Sequence, residues 1–162
     1  MPVASNPADQ KFLDDVEKFG WVVRIIHPDD PETEPMFHYS CGIFRRTGKP
    51  EIIVFGLPSD IGHFLVNEYG DRVAAGESFL PGERYEGFVG NWPVIFFDNL
   101  DQTAALQHLT WTDWYYDRKV FPIVQCVLPD PVNGKFPWEE GCSEHARRSQ
   151  PLLFPDSRIA KN

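Results

Sequence analysis

The sequence is short of cysteine, of positive charge and of long apolar runs, and it carries none of the short motifs that mark the common catalytic folds. Each shortage removes a class of protein. The three cysteines, Cys41, Cys126 and Cys142, are too few and too scattered for a disulfide framework, and no CxxC pair offers half a zinc or redox site. Three reduced thiols are expected, two of them in strands. No apolar run approaches the ~18–20 residues that cross a bilayer, and the opening MPVASNPADQ lacks the basic and apolar regions of a secretory signal. The expectation is a cytoplasmic protein with no membrane partner. Fifteen Lys and Arg stand against 24 Asp and Glu, a net charge of −9. That balance opposes non-specific binding to phosphate backbones, so no nucleic-acid partner is expected. The P-loop pattern GxxxxGK[ST], the G-x-S-x-G elbow and the H-E-x-x-H metal helix are all missing.

What is present is a chain of 162 residues, the size of one domain, with enough apolar and aromatic residues for a core. Fifteen prolines and twelve glycines favour many turns and short elements. Asn6-Pro7-Ala8-Asp9 reads as a helix start, Phe12, Val16 and Phe19 follow helical spacing, and Gly20 supplies a stop. Residues 21–26 and 36–44 read as strands joined by an exposed acidic connection. Arg45 to Pro50 reads as a turn, leading into a buried strand over 51–56 that would complete a hairpin. Ser59 to about Ala75 has a helical stripe of Ile61, Phe64, Leu65, Tyr69 and Val73, with Glu68 and Arg72 spaced for an i,i+4 pair and His63 pointing to solvent. A loop with a short strand is expected over 77–90, a strand over 92–98, a helix over 101–117 broken near Thr110, and a strand over 120–128. These elements do not form regular βαβ units. They predict a single α+β domain, residues 1–162, with a mostly antiparallel curved or partly closed sheet and two to four flanking helices. An extended tail follows from about residue 150.

Three groups of residues could carry chemistry. Arg45, Arg46, Thr47 and Lys49 lie around Gly48 and could hold a phosphate or carboxylate, or simply form a solvated turn. Trp111, Trp114, Tyr115 and Tyr116 could stack on a flat ligand, or fill the core beside Trp92 with their hydroxyls on Gln125 or Asp130. Gln125, a polar residue within an apolar strand, either contacts a ligand or ties down a loop. Asp130 reads as a turn starter, and Trp138 with Glu139 as the mouth of a pocket. His27 and His38 flank the acidic loop, where exposed histidines are expected rather than a metal site. His38 and Cys41 differ by three positions, so on one strand they face opposite ways and form no dyad.

Several phrases carry a resemblance. They are Phe19-Gly20-Trp21, Tyr39-Ser40-Cys41-Gly42-Ile43, Lys49-Pro50-Glu51-Ile52-Ile53-Val54-Phe55-Gly56-Leu57, Arg72-Val73-Ala74-Ala75-Gly76-Glu77, Phe121-Pro122-Ile123-Val124-Gln125, and Phe136-Pro137-Trp138-Glu139. In this order and spacing the chain resembles the bacterial family known as domain of unknown function 4262, over about residues 19–151. The resemblance implies a family and no activity. Two positions depart from its pattern. Val22 stands where a polar residue, often His, is common, and Cys41 where a β-branched or small residue is expected.

Three functions follow as expectations. The first is binding of a small phosphate-bearing or flat aromatic ligand such as a flavin (FMN), through Arg45, Arg46, Thr47, Lys49, Trp111, Tyr115, Gln125 and Trp138. The second is a non-catalytic protein-interaction or immunity-type module, with a protein partner or a homo-oligomer. The third is a hydrolase. The first depends on the basic segment and the aromatic helix reaching one shared cavity.

Overall fold

A computed structural model describes residues 1–155; the end of the expected tail, 156–162, lies outside the described residues. The first helix, α1 (Pro7–Phe19), begins and ends where local chemistry dictates. The Asn6 side chain accepts from the Asp9 amide at 2.8 Å, and Gly20 takes φ +91°, a conformation that favours glycine, to turn the chain out. Strands β1 (Val22–Ile26), β2 (Phe37–Cys41) and β3 (Glu51–Phe55) follow. They pair antiparallel in sequence order. The link between β2 and β3 is not the expected turn. It is a short helix, α2 (Ile43–Thr47), between Gly42 and Gly48, both at positive φ. The two glycines were legible as turn residues, but nothing local showed that the five residues between them would close one helical turn.

Next come α3 (Ser59–Ala74), the hairpin β4 (Arg84–Val89) and β5 (Trp92–Phe97), then α4 (Gln102–His108) and α5 (Thr110–Tyr115), with the break at Leu109. Strand β6 (Ile123–Val127) enters the middle of the sheet, parallel to β3, and α6 (Glu144–Ser149) closes the described chain. The order is β1-β2-β3-β6-β5-β4, with every neighbouring pair antiparallel except β3 and β6. This is an α+β domain with a mixed, mostly antiparallel sheet. The sheet stays open, with edges at β1 and β4, and six helices flank it among the described residues. The surplus over the expected two to four comes from α2 and α6, which are too short to show periodicity.

The central strands β3 and β6 are buried along their whole length, so both faces of the sheet are covered. On one face Ile52, Val54, Val124 and Cys126 pack against Leu65, Val66, Tyr69 and Val73 of α3. On the other, Ile53, Phe55, Ile95, Ile123 and Val127 meet α4, Phe136 and the segment at Leu153–Phe154. A third cluster joins Phe12 and Val16 of α1 to Cys41 and Tyr115. Helix α3 sits deeper than its expected stripe implied. It buries Gly62 and Gly70, whereas Ile61 and Phe64 are 38% and 54% exposed. The close approach explains the shift. A Cβ at Gly62 would stand 2.2 Å from the His38 ring, and one at Gly70 2.5 Å from the Trp21 ring. The His38 ring of β2 and the Trp21 ring just ahead of β1 thus occupy notches in the helix that only glycine leaves.

Candidate functional site

The carboxylate that organises this half of the molecule, Glu51, was not among the expected site residues. It opens β3 and is fully buried. It accepts from Ser40 Oγ at 2.7 Å, from the amides of Gly42, Ile43 and Phe44 at 3.0–3.2 Å, and from the Tyr116 hydroxyl at 2.5 Å. A buried carboxylate is tolerable only when its lone pairs are filled in this way. Here they also satisfy the first free amides of α2, which have no partner within the helix. Burial and the neighbouring Glu51 charge push the Tyr116 hydroxyl far above its usual range, so it stays a proton donor. Burial, with Glu51 again second, raises the Cys41 thiol well above its usual range, which leaves it an inert core residue.

The basic segment and the aromatic helix do meet. Arg45 donates from its amide to Tyr116 Oη at 3.1 Å and from its guanidinium to Tyr115 Oη at 2.8 Å. The hydroxyl partners are therefore Arg45 and Glu51, not Gln125 or Asp130. Burial raises the Tyr115 pKa against the opposing pull of Arg45. Trp111 packs on Phe12 at 4.6 Å rather than on Trp92, which stands on β5 against Gly134. Thr47 and Lys49 find partners within the protein. Thr47 Oγ1 donates to Ile43 O, and Lys49 Nζ to Ser78 Oγ at 2.6 Å.

The remaining expected site residues are elsewhere. Gln125 is fully buried, with Nε2 donating to Pro151 O at 2.8 Å and Oε1 accepting from Leu153 N at 2.9 Å. It takes the loop-tying alternative and clips the C-terminal segment onto the sheet. Trp138 stacks on Phe136 at 5.3 Å and meets Phe97 edge-on at 5.4 Å. Asp130 begins its turn, accepting from Val132 N and Ser143 N, and these bonds hold its carboxyl below the usual range. Glu139 accepts from Phe136 N. These carboxylates are engaged in backbone chemistry. His38 is buried, not exposed, with Nε2 on Ser59 O at 3.1 Å and Nδ1 without a hydrogen-bond partner among the described residues. Arg72 pairs with Glu77 at 2.8 Å instead of Glu68 and lies over Phe88 at 4.4 Å.

Arg46 and Trp111 share a cleft of about 800 Å³ between α1, the edge strand β1 and α3. Sequence reasoning missed the residue that completes it, Arg24. Its guanidinium lies 4.6 Å from the Trp111 ring centre and 5.6 Å from that of Phe12. Across the strand edge, Arg46 lies 6.0 Å from the Trp21 ring centre, and the Trp21 indole donates to Asn67 Oδ1 at 3.0 Å. An indole face orients a guanidinium without neutralising it. Neither arginine has a carboxylate within salt-bridge distance among the described residues, whereas the neighbouring Lys11 is paired with Asp15 at 2.6 Å. Val22, one of the two positions that depart from the family pattern, also lines this cleft. Arg24 is the single charge in the otherwise apolar strand β1, and from sequence it reads equally well as an ordinary strand residue facing solvent.

The model of the family described as Domain of unknown function (DUF4262) matches residues 15–143. The chain belongs to that family. No curated protein and no solved structure matches it. The matched span contains both arginines, Glu51, Tyr116 and the whole sheet. Among the described residues no helix is long and apolar enough to cross a membrane.

Proposed function

We propose that this member of the DUF4262 family is a binding module for an anionic group, phosphate or carboxylate, taken up in the cleft between α1, β1 and α3. The observation that carries the reading is the pair Arg24 and Arg46, each laid on an indole and each without a carboxylate partner among the described residues, lining one cleft. In a chain of net charge −9, a guanidinium left without a carboxylate is a choice against abundant partners. A planar guanidinium fixed at its face still offers its N–H edge, which matches a carboxylate or phosphate in bidentate fashion.

Flavin mononucleotide remains one form of the proposal, because it joins a phosphate to a flat ring. Its ring has less to stack on than the aromatic content promised. Trp111 already carries Arg24 and Phe12, and Trp21 sits between Gly70 and Arg46. The anionic end thus carries the recognition. The test is thermal stabilisation by inorganic phosphate and by flavin mononucleotide, since a ligand that binds the native state raises its stability. A saturable rise in Tm with either anion, lost in the double variant Arg24→Ala/Arg46→Ala, is the expected result. No rise with either anion, or the same rise in the double variant, would refute the reading.

A further inference from the structure

The floor of the anion cleft is not a helix end or a loop. It is the free edge of the sheet. Among the described residues strand β1 pairs with β2 on one side and with no strand on the other. The cleft lies along the first part of that strand, at Val22, Val23 and Arg24, with residues of α1 and of α3 also lining it. An edge strand offers a row of backbone donors and acceptors to an incoming strand, and proteins usually blunt such edges or use them. Here β1 presents five residues, Val22–Ile26. At ~3.3 Å per residue that is roughly 17 Å of edge.

We infer that the anion held by Arg24 and Arg46 is borne by an extended acidic segment of a partner protein, which adds to β1 as a seventh strand. The inference rests on the anion-binding reading of the cleft. Two features of β1 choose this occupant. The first is charge: the cations that flank the edge are the two arginines without carboxylate partners, and the one lining carboxylate outside an ion pair among the described residues is Asp71 on the α3 wall. The second is symmetry. A second copy of this chain pairing antiparallel through β1 in full overlap would set Arg24 opposite Arg24, because Arg24 is the central residue of the strand. Like charges facing each other across a ladder are destabilising, and two copies would each bring a charge of −9. Arg24 therefore discourages self-pairing and rewards an acidic strand.

The placement of the two cations also fixes a spacing. Trp21, which Arg46 covers, packs toward α3, where its indole meets Asn67 and Gly70. Arg24 lies on the opposite face, against Trp111 and Phe12. The two positions are three residues apart along the strand direction, about 10 Å, and an odd separation puts side chains on opposite faces. A strand added alongside meets both cations when its own carboxylates are three residues apart. Carboxylates two apart share one face and reach only one arginine.

The experiment uses the full chain and dye-labelled eight-residue peptides of valine and threonine with two glutamates, read by fluorescence anisotropy. One peptide has its glutamates at i and i+3, a second at i and i+2, a third carries lysines at i and i+3, and a fourth repeats the first with alternate backbone amides N-methylated. The i,i+3 peptide is expected to bind at least about tenfold more tightly than each of the others, the loss of one charge-assisted contact or of the ladder bonds being worth that much. Arg24→Gln and Arg46→Gln, chosen because they preserve side-chain bulk, are each expected to remove the preference for i,i+3. Equal binding of the two glutamate spacings, or undiminished binding of the N-methylated peptide, would overturn strand addition. Self-association that the peptide displaces would put a second copy on the edge and overturn it as well. If phosphate or flavin mononucleotide stabilises the protein and no peptide binds, the strand inference fails and the anion cleft stands. If no anion of any kind binds, both fail.

Discussion

Two charged centres lie within one small region of the molecule, and they are built on opposite terms. Glu51 is sealed inside and every donor around it comes from the chain itself: Ser40, three successive amides and Tyr116. Arg24 and Arg46 sit at an open cleft, fixed on aromatic faces and without carboxylate partners among the described residues. A buried charge that lacks a donor costs several kcal/mol, so it must be satisfied internally, and its role becomes architectural. An exposed guanidinium has water as an alternative and can wait for a partner. The contrast separates a charge that holds the fold from charges available for recognition.

The comparison breaks most directly at Glu51. Glu51→Ala strands three amides and two hydroxyls in the interior and is expected to cost about 3 kcal/mol or more in urea denaturation. A loss below about 1 kcal/mol would mean that the carboxylate does not anchor α2. Next comes Tyr116→Phe, which deletes a single charge-assisted donor and is expected to cost about 2 kcal/mol by the same measurement. Gly70→Ala forces a methyl against the Trp21 ring and is expected to cost about 1–2 kcal/mol, with a change in Trp fluorescence as the indole is displaced.

A smaller, pH-dependent loss belongs to His38. Burial, the largest cause, lowers its pKa below the ordinary 6.5. The unfolded chain therefore takes up the proton first as pH falls, so the stability held above pH 6.5 declines from there down through the folded-state value. His38→Gln is expected to flatten that part of the stability–pH curve, measured above the range where carboxylates titrate. An unchanged curve would show that the ring is protonated in place. The smallest stability effect is expected at the cleft. Arg46→Ala removes an exposed side chain and should shift stability by less than about 1 kcal/mol while weakening anion binding measurably. A larger loss of stability than of binding would move Arg46 into the architectural class with Glu51.

Local signals in this chain are easiest to read where one short segment settles the matter. Asn6 and Gly20 bound α1, the break at Leu109 separates α4 from α5, and the apolar runs at β3, β5 and β6 are strands. Helix α2 escaped because its amides are capped by Glu51, which follows it in sequence and belongs to the next strand. The stripe of α3 was misjudged at Ile61 and Phe64 because hydropathy cannot show that Gly62 and Gly70 are the points of closest approach. Of the candidate site, Arg46 and Trp111 were in view, but Arg24 was not, since one cation in an apolar strand carries no local mark. Gln125 was recognised as unusual, and its two bonds to the C-terminal segment explain why a buried amide is tolerated there.

The sequence by itself determined the family, the α+β class, most element positions and the acidic surface, because capping, periodicity and composition act over a few residues. Tertiary structure alone decided which charges would be satisfied and which would be left facing a cleft. Glu51 and Tyr116 are 65 residues apart in the chain, and Arg24 reaches Trp111 across the sheet edge. Such pairings depend on strand order and helix placement, which no local pattern encodes.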